Sequence, residues 1–464
     1  MTLEIRQDST LPLGASFRDP SGFIFKLGNR IYRQINLSYQ DNYRHLIESG
    51  LYAKLVEEQL LIPHQEVSVK APRPDLAYKI IEPDLLNFVA YPYEMSFSQL
   101  KDAALATLKI QKLALDYGMS LKDSSAYNIQ FHNGKPLLID TLSFEIYQDG
   151  KPWVAYRQFC QHFLAPLSLI AYHDSRLAFL LANFIDGIPL DLASRLLPSR
   201  TRLTPSLMLH IHLHAASQKK YANTKPASNR FVSQTALRGL IDSLEASINK
   251  LKWSPTGPGW AAYYEEEHSY TIAGLEHKQR LVEEYLSQIN PLIVWDLGAN
   301  TGMFSRIASD SGAFTVAFDF DPAAVELNYL DVRRHQELKI LPLIQNLTNP
   351  SPAIGWQNQE RLSLIERTNA DVILALALVH HLAISNNVSL DSLANFLQKL
   401  SPHLIIEFVP KSDPQVQRLL MVREDIFSDY TQEQFESAFN RNFIIHKSET
   451  IQGSQRRIYL MERR

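Results

Sequence analysis

The chain has 464 residues, which is more than one ordinary hydrophobic core accommodates and therefore predicts two domains. Its hydrophobic content of 45% and charged content of 20% are typical of a globular protein. The net charge of −3 disfavours nucleic-acid binding through a broadly basic surface. Cys160 is the single cysteine, which excludes an intramolecular disulfide framework and a zinc site built from several cysteines.

The sequence also bears on location. No apolar run approaches the roughly 18–20 residues that a membrane-spanning helix requires, so we predict no membrane span. The N-terminus has no apolar signal core, and a lone cysteine suits a reducing compartment. We therefore expect a cytoplasmic protein.

One stretch of the chain breaks regular structure. Residues 252–260 contain two prolines and two glycines, a composition that favours a linker. We therefore predict domains over residues 1–252 and 261–464. Both lengths are ordinary for a domain.

The first domain is predicted to be an α+β fold. Residues 22–27 and 30–35 have strand character and flank a Gly-Asn pair, which predicts a hairpin. Apolar residues at helical spacing predict helices over 42–61 and 97–117. Residues 153–250 are predicted to be mostly helical.

A second predicted hairpin in this domain is flanked by polar side chains. Asn133 and Gly134 form a turn pair between two short apolar segments. Asp123 and Asn128 precede this hairpin, and Asp140 follows it. We therefore expect two carboxylates and an amide at its mouths.

This arrangement resembles the catalytic loop of protein kinase-like and aminoglycoside phosphotransferase-like folds. The resemblance implies that Asp123 is a base and that Asn128 and Asp140 are magnesium ligands. However, Leu121 stands where those families have a histidine, a Thr-Leu pair follows Asp140 in place of Phe-Gly, and no glycine-rich phosphate loop is evident. These departures favour an inactive or accessory kinase-like domain, and active phosphotransfer remains the alternative.

Three histidines alternate within residues 209–214. On a helix, His210 and His214 would share one face at the spacing of a metal-binding pair. No acid follows them in the pattern of a zinc protease, and a polar helix face explains them equally well. We therefore predict no metal site.

The second domain is organised around a strand, a glycine turn and a helix. A predicted helix over 263–286 leads to an apolar run at 291–295, which is typical of a buried parallel strand. A turn containing Gly298, Asn300 and Gly302 then precedes an amphipathic helix. Because glycine lacks a Cβ, such a turn lets the backbone approach a nucleotide-like ligand closely.

An acidic residue ends the next predicted strand. Residues 313–318 are mostly apolar and lead directly to Asp319. An acid at this position is placed to accept hydrogen bonds from both hydroxyls of a ribose. NAD and S-adenosylmethionine each contain such a ribose, so either satisfies this part of the pattern.

The glycine spacing distinguishes the two ligands. It lacks the G-x-G-x-x-G pattern of dinucleotide-binding folds and instead resembles motif I of the class I S-adenosylmethionine-dependent methyltransferases, with Asn300 in place of the usual middle glycine. Asparagine tolerates left-handed backbone angles, so the turn should persist. The resemblance implies S-adenosylmethionine as the cofactor and a Rossmann-like, seven-stranded sheet over about residues 265–464. It also implies cofactor-binding roles for Asp296, Gly298, Asn300, Gly302 and Asp319.

The following strands continue the same alternation. A strand over 338–344 leads to Gln345 and Asn346, and the resemblance implies that an amide here contacts the adenine amino group. Asn346 is the preferred candidate, with Gln345 one residue away. Asn346 completes the predicted cofactor site.

Two further strand ends supply candidate catalytic residues. A buried strand over 371–378 leads to His380 and His381, and either imidazole could remove a proton from an attacking hydroxyl or amine. The alternative is that one histidine caps the next helix and only lines the cavity. Glu407, at the tip of the fifth strand, is placed to bind the substrate.

Residues 19–22, 378–382 and 407–411 together resemble bacterial methyltransferase-like proteins named after a nodulation-associated member. The sequence thus predicts an α/β methyltransferase that modifies an O or N nucleophile of a small-molecule or glycan acceptor, with an N-terminal α+β, kinase-like domain. The alternatives are a bifunctional protein with phosphotransfer in its N-terminal half and a non-catalytic S-adenosylmethionine-binding sensor or scaffold. The glycine spacing disfavours a dehydrogenase.

Overall fold

A computed structural model describes three parts of the chain: residues 13–221, 231–255 and 270–464. The beginning of the helix predicted over 263–286 lies outside them. No helix within these parts is long and apolar enough to cross a bilayer.

The chain divides into two compact units. The N-terminal unit consists of Met1–Trp253 and Ala353–Arg361, and the C-terminal unit consists of Ser254–Pro352 and Leu362–Arg464. The first division falls at the proline- and glycine-rich stretch. The sequence gives no indication that Ala353–Arg361 belongs with the N-terminal unit, because its contacts there are with residues far away in the chain.

The N-terminal unit begins with a small antiparallel sheet. Its strands are β1 (Gly22–Leu27), β2 (Arg30–Asn36), β3 (His64–Glu66) and β4 (Ala77–Pro83), in the order β1-β2-β4-β3. The predicted first hairpin is confirmed. The single helix expected over 42–61 is instead two helices, α1 (Gln40–Glu48) and α2 (Leu51–Glu57). They are separated at Gly50, which has a φ of +86°.

The middle of this unit is a long helix followed by two short strand pairs. Helix α3 (Phe97–Asp116) begins at Ser96, whose side chain accepts a hydrogen bond from the Gln99 amide. The strands are β5 (Met119–Leu121), β6 (Ile129–His132), β7 (Lys135–Leu138) and β8 (Phe144–Ile146). Strand β5 pairs with β8, and β6 pairs with β7, which confirms the predicted second hairpin.

The rest of the N-terminal unit is helical within the described ranges. Its α-helices are α4 (Tyr156–Phe159), α5 (Ala165–Tyr172), α6 (Leu180–Asn183), α7 (Leu190–Leu196), α8 (Pro205–Leu207), α9 (His214–Tyr221) and α10 (Gln234–Lys250). Wider π-helical turns span Cys160–Leu164 and Met208–Leu213. The unit is therefore α+β, and its kinase-like interpretation stays a prediction.

The C-terminal unit is built on a seven-stranded sheet. Its strands are β9 (Ile293–Leu297), β10 (Phe314–Asp319), β11 (Ile340–Ile344), β12 (Val372–Ala375), β13 (His403–Phe408), β14 (Phe443–Thr450) and β15 (Arg457–Arg463). Their order is β11-β10-β9-β12-β13-β15-β14. The first five are parallel, and β15 runs antiparallel to both β13 and β14.

Helices connect these strands. They are α11 (Ile272–Ile289), α12 (Met303–Asp310), α13 (Pro322–His335), α14 (Leu390–Leu397), α15 (Pro414–Met421) and α16 (Gln432–Asn440). The central strands are largely apolar and buried, and Val294 and Trp295 of β9 have no exposed surface. Burial on both faces is what a parallel sheet with crossover helices requires.

The strand order creates a crevice. From β9 the chain moves outward to β10 and β11, and it then returns across the sheet to β12 on the other side of β9. Ligands of open α/β sheets bind beyond the carboxyl ends of the strands at such a reversal. The candidate site lies there.

Candidate functional site

A cavity of about 300 Å³ opens at the carboxyl ends of β9, β10, β11 and β12. It is lined by six residues that the sequence analysis singled out: Gly298, Asn300, Asp319, Gln345, Asn346 and His381. It is also lined by residues that the sequence analysis missed: Phe320, Leu347, Thr348, Leu376, Ala377, Leu378, Leu382, Ser385 and Asn386. Four predicted residues, Asp296, Gly302, His380 and Glu407, do not line it.

The turn after β9 is held in left-handed backbone conformations. Gly298, Asn300 and Gly302 have φ angles of +78°, +51° and +87°. The Asn300 side chain accepts a hydrogen bond from the Thr301 amide at 2.7 Å, which supports a conformation that few non-glycine residues adopt. The expectation that asparagine preserves this turn is therefore met.

Gly302 serves the turn from outside the cavity. It precedes α12, and a Cβ added to it would lie 2.6 Å from the amide group of buried Asn328 and from the Arg306 guanidinium. Those two side chains share a hydrogen bond of 3.1 Å. The glycine is therefore required for packing beneath the turn.

The Asp319 carboxylate is buried at the tip of β10. Oδ2 accepts a hydrogen bond from the Asn300 amide at 2.8 Å, and Oδ1 accepts one from the Asp321 amide at 2.9 Å. Burial raises the pKa of this carboxyl to about 6, although both amides oppose the shift. No ion pair joins Asp319 to a cation in the described parts of the chain, and the residue lines the cavity.

Asp296 has a different role from Asp319. Its carboxylate is buried beneath the turn and accepts a hydrogen bond from the Ser305 hydroxyl of α12 at 2.6 Å. Burial raises the pKa of Asp296 to about 6. This bond joins the end of β9 to the first turn of α12, so the first acid of the motif supports the turn from below.

Two amide side chains meet the cavity at the end of β11. Gln345 is buried, and its Oε1 accepts a hydrogen bond from Ser351 at 3.0 Å. Asn346 is exposed, and its Oδ1 accepts hydrogen bonds from the amide and hydroxyl of Thr348 at 3.0 and 2.8 Å. The Asn346 NH₂ group is therefore oriented as a donor, whereas the resemblance implied an acceptor for an adenine amino group.

The two adjacent histidines have different surroundings. His381 lines the cavity, whereas His380 has no exposed surface, and their ring centroids are 4.1 Å apart. Neither ring nitrogen of His380 has a hydrogen-bond partner within the described ranges. Burial, aided by the charge of Arg456, lowers the pKa of His381 to about 4, so this imidazole is neutral at neutral pH. Only His381 can meet a ligand in the cavity.

Glu407 is fully buried and cannot bind a substrate in this cavity. Its carboxylate accepts hydrogen bonds from the ammonium of Lys278 at 2.7 Å and from the Tyr270 hydroxyl. Burial opposes its ionisation, but the charges of Lys278 and Arg456 outweigh burial and lower its pKa. The substrate-binding role expected for Glu407 is replaced by a structural one.

The wall formed by the end of β12 is apolar. Leu376 and Leu378 flank Ala377, which has a φ of +50°. The apolar sequence predicts a strand through residue 378, but β12 ends at Ala375. Phe320 adds an aromatic ring that is 56% exposed. Its position directly after the strand-ending Asp319 is the sequence signal that could have identified it.

The three polar residues predicted in the N-terminal unit do lie together. The Asn128 amide donates to the Asp123 carboxylate at 3.0 Å, and the Gln158 amide donates to it at 2.8 Å. Burial and the nearby negative charge of Asp140 raise the pKa of Asp123. Asp140 forms an ion pair of 2.8 Å with Arg33. Neighbouring side chains thus already engage both carboxylates of this cluster.

The histidines of residues 209–214 are held by hydroxyl groups and an aromatic ring. The ring of His210 lies 2.8 Å from the Tyr156 hydroxyl and 2.9 Å from that of Ser243, and the ring of His214 stacks on Tyr156. Among the described residues, no group of three His, Cys, Asp or Glu side chains is arranged to hold a metal ion. These histidines pack and bridge helices.

The sheet order, the glycine turn and the cavity at the reversal together define a Rossmann-like fold with the seven-stranded topology of class I methyltransferases. The chain is 36% identical over 464 residues to nodulation protein NoeA of Rhizobium meliloti (strain 1021), a match that covers 97% of this chain and 96% of that protein. The chain therefore belongs to the NoeA family. No protein-family model matches it.

Solved structures provide more distant matches. The N-methyltransferase NodS from Bradyrhizobium japonicum WM9 is 12% identical with a TM-score of 0.32, and the match covers 41% of this chain and 97% of NodS. Magnesium protoporphyrin IX methyltransferase (ChlM) from Synechocystis PCC 6803, solved with bound SAH, is 15% identical with a TM-score of 0.33. That match covers 44% of this chain and 93% of ChlM.

Replacing Gly302 with alanine tests the packing beneath the turn. We expect Gly302→Ala to lower the free energy of unfolding by about 2–4 kcal/mol, because it combines left-handed strain with disruption of the buried Asn328–Arg306 hydrogen bond. The matched control is Gly312→Ala, which also requires a positive φ but meets only one atom within 4 Å, at 3.9 Å. Gly312→Ala should lower the free energy of unfolding, measured by urea denaturation, by about 1 kcal/mol. Equal losses for the two variants would contradict the packing argument.

Proposed function

We propose that this protein is an S-adenosylmethionine-dependent methyltransferase that modifies an O or N nucleophile of a small-molecule or glycan acceptor. The observation that carries the proposal is the Asp319 carboxylate, which lies in a cavity beside a turn with two left-handed residues, Gly298 and Asn300. A carboxylate held by backbone amides and free of cationic partners is suited to accept hydrogen bonds from the two hydroxyls of a ribose. We further propose that the protein acts in the cytoplasm.

The residues around Asp319 offer different contacts to a bound cofactor. Gly298 has no Cβ, and a Cβ added to it would approach Leu378 to 3.4 Å, so glycine lets the turn lie close to the apolar wall of the cavity. Phe320 offers an exposed ring for an aromatic base, and the Asn346 NH₂ group offers a donor to a ring nitrogen. The donor orientation of Asn346 is the reason to assign it to a ring nitrogen instead of an amino group.

His381 is the candidate catalytic residue in the cavity. When bound, the cofactor would supply an electrophilic methyl group on a sulfonium. His381 is neutral, so it can accept the proton that the attacking hydroxyl or amine loses. Its lowered pKa makes it a weak base, and it therefore contributes mainly by orienting the nucleophile through a hydrogen bond.

Calorimetric titration with S-adenosylhomocysteine tests the cofactor site. Asp319→Asn should weaken binding at least tenfold, about 1.4 kcal/mol, because an amide cannot accept hydrogen bonds at both of its heteroatoms. The control Asp310→Asn, on the exposed side of α12, should bind within twofold of wild type. Transfer of a labelled methyl group to a panel of hydroxyl and amine acceptors then distinguishes an enzyme from a sensor. Absence of binding by the wild type would contradict the proposal.

The raised pKa of Asp319 predicts a pH dependence of binding. The ionised carboxylate is the better acceptor, and it is lost as the pH falls through about 6. The Kd for S-adenosylhomocysteine should therefore be roughly tenfold higher at pH 5 than at pH 7.5. Asp319→Asn should show a flatter profile than wild type. An equally steep profile in this variant would assign the proton to another group, such as Asp296.

A second candidate function is phosphotransfer in the N-terminal unit, and the convergence of Asp123, Asn128 and Asp140 is the observation that favours it. The Arg33–Asp140 ion pair argues against it, since it occupies a carboxylate that a magnesium ion would need. We therefore expect no calorimetric binding of magnesium-ATP. Binding that Asp140→Asn abolishes, and that the exposed control Asp41→Asn retains, would instead establish a nucleotide site in this unit.

A further inference from the structure

A network of charged side chains is buried in the C-terminal unit, behind the cavity wall that the end of β12 forms. Glu407, Lys278 and Arg456 have essentially no exposed surface. Lys278 donates to Glu407 at 2.7 Å, and Arg456 donates to both oxygens of Asp413 at 2.7 and 2.9 Å. The Tyr270 hydroxyl lies within hydrogen-bond distance of Glu407, Lys278 and Arg456.

The network reaches the cavity through one backbone group. Glu407 Oε2 accepts a hydrogen bond of 2.8 Å from the amide of Ala377. Ala377 lines the cavity and has a φ of +50°, a conformation that is unfavourable for alanine and persists only where the surroundings enforce it. The Glu407 carboxylate provides that enforcement, because a charged acceptor makes a strong bond to an amide in a buried site.

We infer that Glu407 is a positioning residue: it holds the Ala377 amide and thereby shapes the wall of the cavity at the end of β12. Lys278 and Arg456 keep the carboxylate ionised and fix its rotamer, so its Oε2 points at the amide. The left-handed residue turns the chain between Leu376 and Leu378, and Leu378 then lies opposite Gly298. This inference rests on the proposed function, since it concerns the same cavity.

The position of Glu407 explains why the acid is not used for chemistry. The Glu407 carboxylate accepts hydrogen bonds from Tyr270, Lys278 and the Ala377 amide and lies behind the cavity wall. Burying it is tolerable only because each of its oxygens is hydrogen-bonded. The buried Glu407 carboxylate thus stabilises the left-handed backbone conformation of Ala377.

Two double variants with the same net charge separate the hydrogen bond from the charge. Glu407→Gln with Lys278→Met removes one negative and one positive charge but keeps a side-chain oxygen for the Ala377 amide. Glu407→Leu with Lys278→Met removes the same charges and the oxygen. S-adenosylhomocysteine binding should stay within threefold of wild type in the first and weaken at least tenfold in the second.

Adding Ala377→Gly provides a rescue that loss of stability alone would not produce. Glycine adopts a positive φ without help, so this change should recover most of the affinity lost in the Glu407→Leu, Lys278→Met variant. The same change in the wild type supplies the reference Kd against which this recovery is measured. Failure of glycine to restore binding, in a variant that remains folded by circular dichroism, would overturn the inference.

Hydrogen exchange of the Ala377 amide covers the case in which the leucine variant does not fold. The amide should be protected equally in the wild type and in the Glu407→Gln, Lys278→Met variant. If the Ala377 amide exchanges freely in the Glu407→Gln, Lys278→Met variant while the affinity for S-adenosylhomocysteine is intact, the inference about Glu407 is overturned but the proposed function is not. If the wild type does not bind S-adenosylhomocysteine, the proposed function fails, and the inference fails with it.

Discussion

The candidate site depends on the burial of one carboxylate. Asp319 ends β10, and its hydrogen bond to the Asn300 amide joins that strand end to the turn after β9. Burial of an acid is unfavourable unless its oxygens are satisfied, and backbone amides satisfy them here without consuming the charge. The same bond holds the turn where Asn300 has a left-handed backbone angle. Removing this bond would loosen both strand ends at once.

Local sequence contains enough information to predict this part of the molecule. Near-continuous apolar runs predict parallel strands, because such strands are buried on both faces of the sheet. Gly298 and Gly302 then indicate where the chain turns. Since carboxyl ends of parallel strands meet at one edge, the turn and Asp319 had to be neighbours. The same reasoning brought Asn346 and His381 to the cavity.

Sequence could not show which polar residues at the strand ends face the cavity. Glu407 points away because Lys278 and Arg456, 129 and 49 residues distant in the chain, enclose it. His380 is buried although its neighbour His381 lines the cavity. The two histidines stand where a π-helical turn over His381–Ser385 begins, and tertiary packing decides which of the two adjacent rings meets the cavity. The assignment of Ala353–Arg361 to the N-terminal unit likewise depends on contacts that no local pattern encodes.

The Asp140 and Asp319 carboxylates differ in what balances their charge, and this difference determines which of the two is ready for a ligand. Asp140 is paired with Arg33, so a cationic ligand would first have to displace a guanidinium. Asp319 is held by neutral amides, so its charge and part of its hydrogen-bonding capacity remain available. Breaking an ion pair reduces the net free energy of ligand binding, whereas a preorganised acceptor without such a partner avoids this cost. An acid that only the backbone restrains is therefore the stronger indication of a binding site, whatever family pattern surrounds it.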